Sequence, residues 1–296
     1  MKKFLVIIGF FLIIGSCVSD KGKGKTITVS ILPFKYFAEA IADDHFRINV
    51  VVPPGASPAT YEPTPSVVDG IRRSDAIIFD GYLGFELAWM DKLKSVNPKM
   101  RTLVLADGID LISADSHSDE DHMHYSGVDP HFWMSPQIAI QISKRIKDMI
   151  IELDPGNSGD YVRNYEALLQ ELNITKAFLD STLLKISGTS FMIFHPAFGY
   201  LAREYGLNQI PVEVEGKEPS PSDLKKFIDQ GREDNIRIIF VQKEFDKKNA
   251  MTIARELDAD LVEVDPLSAN WNESIKDIAT LIARSYSLSI KSSQHE

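Results

Sequence analysis

Two stretches of this chain alternate short β-branched or aromatic runs with amphipathic segments, and one long helical rhythm separates them. Such alternation marks strands that lie side by side in a mostly parallel sheet with helices on its faces. In the first half it predicts strands at Thr26–Leu32, Arg47–Val52, Ala76–Phe79 and Thr102–Leu105, with helices around Tyr36–Ile41, Ser66–Arg73 and Glu86–Lys94. In the second half it predicts strands at Phe191–Phe194, Gln209–Val214, Arg237–Val241 and Asp260–Val264. A helix follows Ser220, whose hydroxyl suits an N-cap, with Pro221 at the first helical position and Asp223 at the third. A last helix is predicted from Trp271 to about Ser285.

Between the halves, Pro136–Leu153 forms one helical stretch, broken by the turn residues Asp154 to Gly159. Asp160–Ile186 then carries apolar residues at helical spacing, which at ~1.5 Å per residue makes a helix about 40 Å long. A helix of that length is a stiff connector. The expected fold is therefore α/β: two lobes, each with a mostly parallel sheet flanked by helices, joined by a spine helix, with a cleft between them. The corresponding boundaries are 26–153 for the N-terminal lobe, 154–186 for the spine and 187–296 for the C-terminal lobe.

The N-terminus has the layout of a signal peptide. Lys2 and Lys3 precede the apolar run Phe4–Ile14, which is too short to span a bilayer, and Gly15 and Ser16 lead into Cys17. Small residues before a lone Cys resemble a bacterial lipobox, which implies removal of residues 1–16 and lipidation of Cys17, with 17–25 as a flexible tether. Cys17 is the only cysteine, so any metal site in the folded part must be built from His, Asp and Glu. The formal charge of −10 argues against nucleic acid as a partner.

Seven histidines are present, and two occupy positions where an α/β protein holds ligands. His195 follows the strand Phe191–Phe194, and His131 lies in an Asp129-Pro130-His131 turn ahead of the Pro136 helix. Asp265 follows the strand Asp260–Val264. Open sheets bind ligands beyond the carboxyl ends of their strands, so two facing sheets would bring these three residues towards one cleft. Imidazole with carboxylate suits zinc and, with more oxygen, manganese. Taken singly, a His after a strand is also an ordinary hydrogen-bonded residue, and an Asp before Pro an ordinary turn former.

Five ordered segments resemble the solute-binding proteins of zinc and manganese ABC transporters, a group that includes streptococcal surface adhesins. They are Pro53 to Pro58 with Tyr61 to Pro65, Gly84 to Glu86, Asp129 to Pro136, Phe194 to Tyr200, and Val264 to Leu267. The resemblance covers nearly all of the chain after the leader. It implies two lobes joined by a long helix, one Zn2+ (alternatively Mn2+) bound between them, and delivery to a membrane permease by a monomeric, lipid-anchored extracytoplasmic protein. It implies His131, His195 and Asp265 as ligands. Where the family has a further His, after the Gly-x-x-Pro turn, this chain has Ala59. Three protein ligands then remain where a closed tetrahedral site takes four. Water, Glu62, or one of His117, His122 and His124 from the acidic, His-rich segment 115–125 can complete the set.

Two other readings compete. A secreted zinc hydrolase would use the same three residues with an open water position, but no H-E-x-x-H or G-x-S-x-G signature is present. An adhesive or structural lipoprotein with an altered metal site would account for Ala59. The binding-protein reading assigns no catalytic residues.

Overall fold

The computed structural model describes residues 24–113, 127–213 and 219–293. Cys17, His117, His122, His124 and the segment that carries the three histidines fall outside them. Two four-stranded sheets, all parallel, form the frame. The first contains β1 (Lys25–Val29), β2 (Phe46–Val50), β3 (Ala76–Phe79) and β4 (Arg101–Val104), in the order β2-β1-β3-β4. The second contains β5 (Ser190–Ile193), β6 (Asn208–Pro211), β7 (Ile238–Gln242) and β8 (Asp260–Val264), in the order β6-β5-β7-β8. Central strands β3 and β7 are buried along their whole length, as a sheet covered on both faces requires.

The first sheet is flanked by α1 (Leu32–Ala42), α2 (Pro65–Arg72) and α3 (Gly84–Ser95). β1 stops three residues short of the predicted end because Pro33, in the first turn of α1, starts that helix early. Next come α4 (Pro136–Leu153) and α5 (Ser158–Leu183), separated by a short 3-10 turn at Pro155–Asn157. Ser135 caps α4 by accepting from the Ile138 N–H. The C-terminal sheet carries α6 (Gly199–Tyr205), α7 (Pro221–Glu233), α8 (Lys248–Leu257) and α9 (Trp271–Ser293). Ser220 and Asp223 form a reciprocal capping box at α7, as the sequence predicts.

The 26-residue α5 packs against α1, α4 and α9, so the spine is shared by both halves. One continuous apolar core crosses between the lobes, and a smaller one lies on the outer side of the C-terminal sheet. Aromatic contacts fasten the seam. Phe37 packs on Trp271 with ring centroids 5.3 Å apart, and Phe34 meets Trp133 edge-on at 5.8 Å. The Trp133 indole N–H donates to the Pro266 carbonyl, and the Trp271 indole N–H to the Trp133 carbonyl, both at 2.9 Å. Buried aromatic burial with satisfied indoles makes this a packed joint, unlike a flexible hinge. No helix among the described residues is long and apolar enough to cross a membrane.

Candidate metal centre

The carboxyl ends of β5 to β8 carry most of the candidate groups. Beyond β5, the chain passes through Phe194 to His195, whose backbone is held on both sides by one buried side chain. The His195 N–H donates to Gln242 Oε1 (3.3 Å), and Gln242 Nε2 donates to the His195 carbonyl (2.7 Å). The imidazole stacks on Phe245, with centroids 4.9 Å apart and planes 20° apart. Its Nδ1 lies 2.9 Å from Glu213 Oε2, and the Glu213 side chain is 6% exposed. Sheet register explains that contact: Ile193 pairs with Pro211, so two residues further along His195 comes level with Glu213.

His131 is oriented in the same way from the other side. Asp129 Oδ1 accepts both the His131 backbone N–H (2.9 Å) and its Nδ1 (2.8 Å). Asp129 is itself fixed by the C-terminal half, since Tyr200 Oη donates to its carbonyl at 2.7 Å. Its other carboxylate oxygen rests on Gly199, where a Cβ would come within 2.5 Å. Only glycine admits that approach.

With each Nδ1 proton directed at a carboxylate, each Nε2 presents its lone pair. The two Nε2 atoms lie 3.4 Å apart. In that tautomer two lone pairs so close repel unless a proton or a metal ion stands between them. Two Zn–N bonds of about 2.0–2.1 Å at the tetrahedral angle would set the nitrogens roughly 3.3–3.4 Å apart, so the spacing fits one shared ion. The carboxylates behind the rings fix their orientation and offset part of an ion's charge.

The remaining sequence candidates sit elsewhere. Asp265 follows β8 as predicted, but its Oδ2 lies 2.6 Å from Lys243 Nζ and its Oδ1 accepts the Leu267 N–H at 3.0 Å. Among the described residues, no three His, Cys, Asp or Glu side chains converge on one point. The structure thus joins His131 and His195 and leaves Asp265 ion-paired. Glu62 is exposed ahead of α2. Ala59 is exposed in a turn pinned to the start of α3, where Phe85 N–H donates to the Pro58 carbonyl at 3.0 Å. A Cβ on Gly84 would collide with the Ala59 backbone, so the glycine of the Gly84-Phe85-Glu86 segment permits this contact.

Glu86 of that segment forms, with Asp80, a buried acid pair without an assigned role. Glu86 accepts from Ser30 Oγ and from the backbone N–H groups of Asp80 (2.9 Å) and Gly81 (2.6 Å). Burial pushes its carboxyl up to about 7 in spite of these donors. Asp80 is raised well above the ordinary carboxylate range by burial and by the neighbouring Glu86 charge, and its Oδ2 has no hydrogen-bond partner. Asp80 follows β3 at the carboxyl end of the first sheet, Glu86 reaches it from α3, and the Asp129 charge also bears on Asp80.

Comparisons with known proteins agree with the fold. Residues 27–284 match the family model "Zinc-uptake complex component A periplasmic". The Bacillus subtilis high-affinity zinc uptake system protein ZnuA is 29% identical over 274 residues, covering 86% of this chain and 84% of that protein. The Streptococcus pneumoniae zinc-binding lipoprotein AdcA is 26% identical over 93% of this chain, which spans only 57% of AdcA. A crystal structure of ZnuA is 37% identical, with a TM-score of 0.81, over 88% of this chain and 99% of that one. A ZnuA deletion mutant with zinc bound is likewise 37% identical, with a TM-score of 0.80, over 88% and 98% of the two chains. By a match over most of its length, this chain belongs to the family of periplasmic A components of zinc-uptake complexes.

Proposed function

We propose that the chain is an extracytoplasmic solute-binding protein that captures one zinc ion between its lobes and hands it to an ABC permease. The observation that carries this reading is the pair of facing Nε2 atoms, 3.4 Å apart, each ring oriented by its own carboxylate. His131 comes from the N-terminal half and His195 from the C-terminal half, so an ion held by both bridges the seam. Asp265 supplies an oxygen once freed from Lys243. With Ala59 in place of a fourth protein donor, water fills the remaining position, which favours exchange and release. Two nitrogens and one oxygen suit zinc, and Mn2+, which prefers more oxygen, is the alternative cargo. Cys17 anchors the mature chain to the membrane by its lipid, and the protein works as a monomer.

Binding requires neutral imidazoles and an ionised carboxylate, so affinity falls in acid. The packed joint and the spine α5 confine the change on loading to local shifts around the cleft. Calorimetric titration of zinc into chelator-stripped protein lacking residues 1–17 tests the reading, run beside His195→Ala and His131→Ala. One site per chain is expected, weakened at least about 100-fold by either substitution. Tight binding that survives both would end this assignment.

A further inference from the structure

We propose that Lys243 is the resident counter-ion of Asp265, and that the arriving divalent ion displaces it. This rests on Asp265 being a ligand, as proposed above. β7 and β8 pair with Gln242 level with Val264, so the next step along each strand brings Lys243 level with Asp265. Their side chains meet at 2.6 Å, with 35% and 32% of each exposed. The neighbourhood holds more acid than base. Glu244 adds a second carboxylate whose buried Oε1 has no hydrogen-bond partner, while Glu263 is paired with Lys247 at 2.6 Å. Lys243 is therefore the ammonium that neutralises the acidic end of β8 nearest the cleft. It also borders a small void together with Val52, Pro53 and Gly55, on the N-terminal side of the seam.

One contact then serves two purposes. In the empty protein the ammonium keeps Asp265 from standing as an unpaired carboxylate near Glu244. In the loaded protein it must move away, and that loss is subtracted from the affinity for cargo. When the ion leaves, Lys243 returns to Asp265 and favours completion of release. A partly exposed pair is worth up to about 1 kcal/mol, or roughly fivefold in affinity. That is enough to tune capture against hand-off without abolishing either.

A double-mutant cycle on the mature chain, read as the zinc dissociation constant by chelator competition, tests this. Lys243→Met, which keeps length and removes charge, should tighten zinc by up to about fivefold. Asp265→Asn should weaken it, and adding Lys243→Met to Asp265→Asn should change nothing further. If Asp265→Asn leaves affinity unaltered, the assignment of Asp265 as ligand fails, and the counter-ion role with it. If Asp265→Asn weakens binding but Lys243→Met alone does not tighten it, the counter-ion role alone is overturned. Equal tightening by Lys243→Met in both backgrounds would also overturn it, because the lysine would then act as a general positive field. A zinc-loaded crystal structure gives a second readout: Asp265 Oδ2 is expected to have parted from Lys243 Nζ, and a retained contact contradicts the proposal.

Discussion

The two sheets are the same object built twice, with equal strand number, direction and order, yet their carboxyl ends hold different chemistry. β5 and β8 lead into His195 and Asp265, the latter paired with Lys243. In the first sheet β1, the counterpart of β5, leads into Ser30, and the neighbouring β3, the counterpart of β7, leads into Asp80; both are buried with Glu86 in a closed cluster. The N-terminal lobe supplies its imidazole from outside its sheet, on the turn before α4. Its other expected donor position is Ala59. In the proposed site one lobe offers groups from its own strand ends, whereas the other closes its strand ends in a buried plug and offers His131 from a loop. That loop is registered by the opposite lobe, through Gly199 and Tyr200 against Asp129.

Substitutions behind the imidazoles probe this division most strongly. Glu213→Gln acts within the C-terminal lobe and Asp129→Asn across the seam, and each should weaken zinc by about 10–100-fold. A matched pair of losses in competition titrations supports equal roles for the two carboxylates. A silent Asp129→Asn would mean that the N-terminal ring is held by Trp133 packing alone. Gly199→Ala should follow with a smaller loss of affinity, because its methyl group pushes on the Asp129 carboxylate. Thermal unfolding measured on the same variant checks that the fold survives.

Ala59→His would restore a donor to the lobe that lacks one. Zinc affinity should rise, with slower release measured by stopped-flow chelation. Unchanged affinity would show that the turn pinned to α3 points away from the pair.

The smallest effect concerns the plug. Glu86 and Asp80 have carboxyls raised above their unfolded values, so the folded state binds more protons than the unfolded one. Their contribution is favourable below the unfolded carboxylate range and is lost as pH rises towards about 7, the folded value of Glu86. Asp80→Asn removes one of the two charges. Its melting temperature should gain on that of the parent protein as pH is raised from 5 to 8, by a margin that grows with pH. A constant difference across that range would refute the account of the pair.

Much of this architecture was legible in the sequence because buried parallel strands and a long amphipathic helix leave strong periodic signals. All eight strands fall where the β-branched runs predict them, with ends displaced by a few residues. Two helices gave no usable start signal. α8 begins after Lys247, which has no capping side chain, and α6 is only seven residues long before Gly206 ends it in a left-handed conformation. α9 runs to Ser293, beyond the predicted Ser285.

The site was legible in proportion to its dependence on strand ends. That rule places His195 after β5 and Asp265 after β8, where the structure pairs Asp265 with Lys243, and Asp129 lies two residues from His131 in the turn that holds it. The Glu213 and Lys243 contacts depend on which strands are neighbours and in what register, and a single chain does not display strand order. Phe245 and Gln242 were missed for the same reason, since both reach His195 from β7 or the loop after it.

The central claim is that His131 Nε2 and His195 Nε2 share one ion across the seam. A crystal structure of the zinc-loaded protein, with anomalous diffraction collected at the zinc edge, tests it most directly. A single strong anomalous peak is expected between the two rings, about 2.0–2.1 Å from each Nε2. A peak bound by only one of the two histidines, or one located away from both, would contradict it.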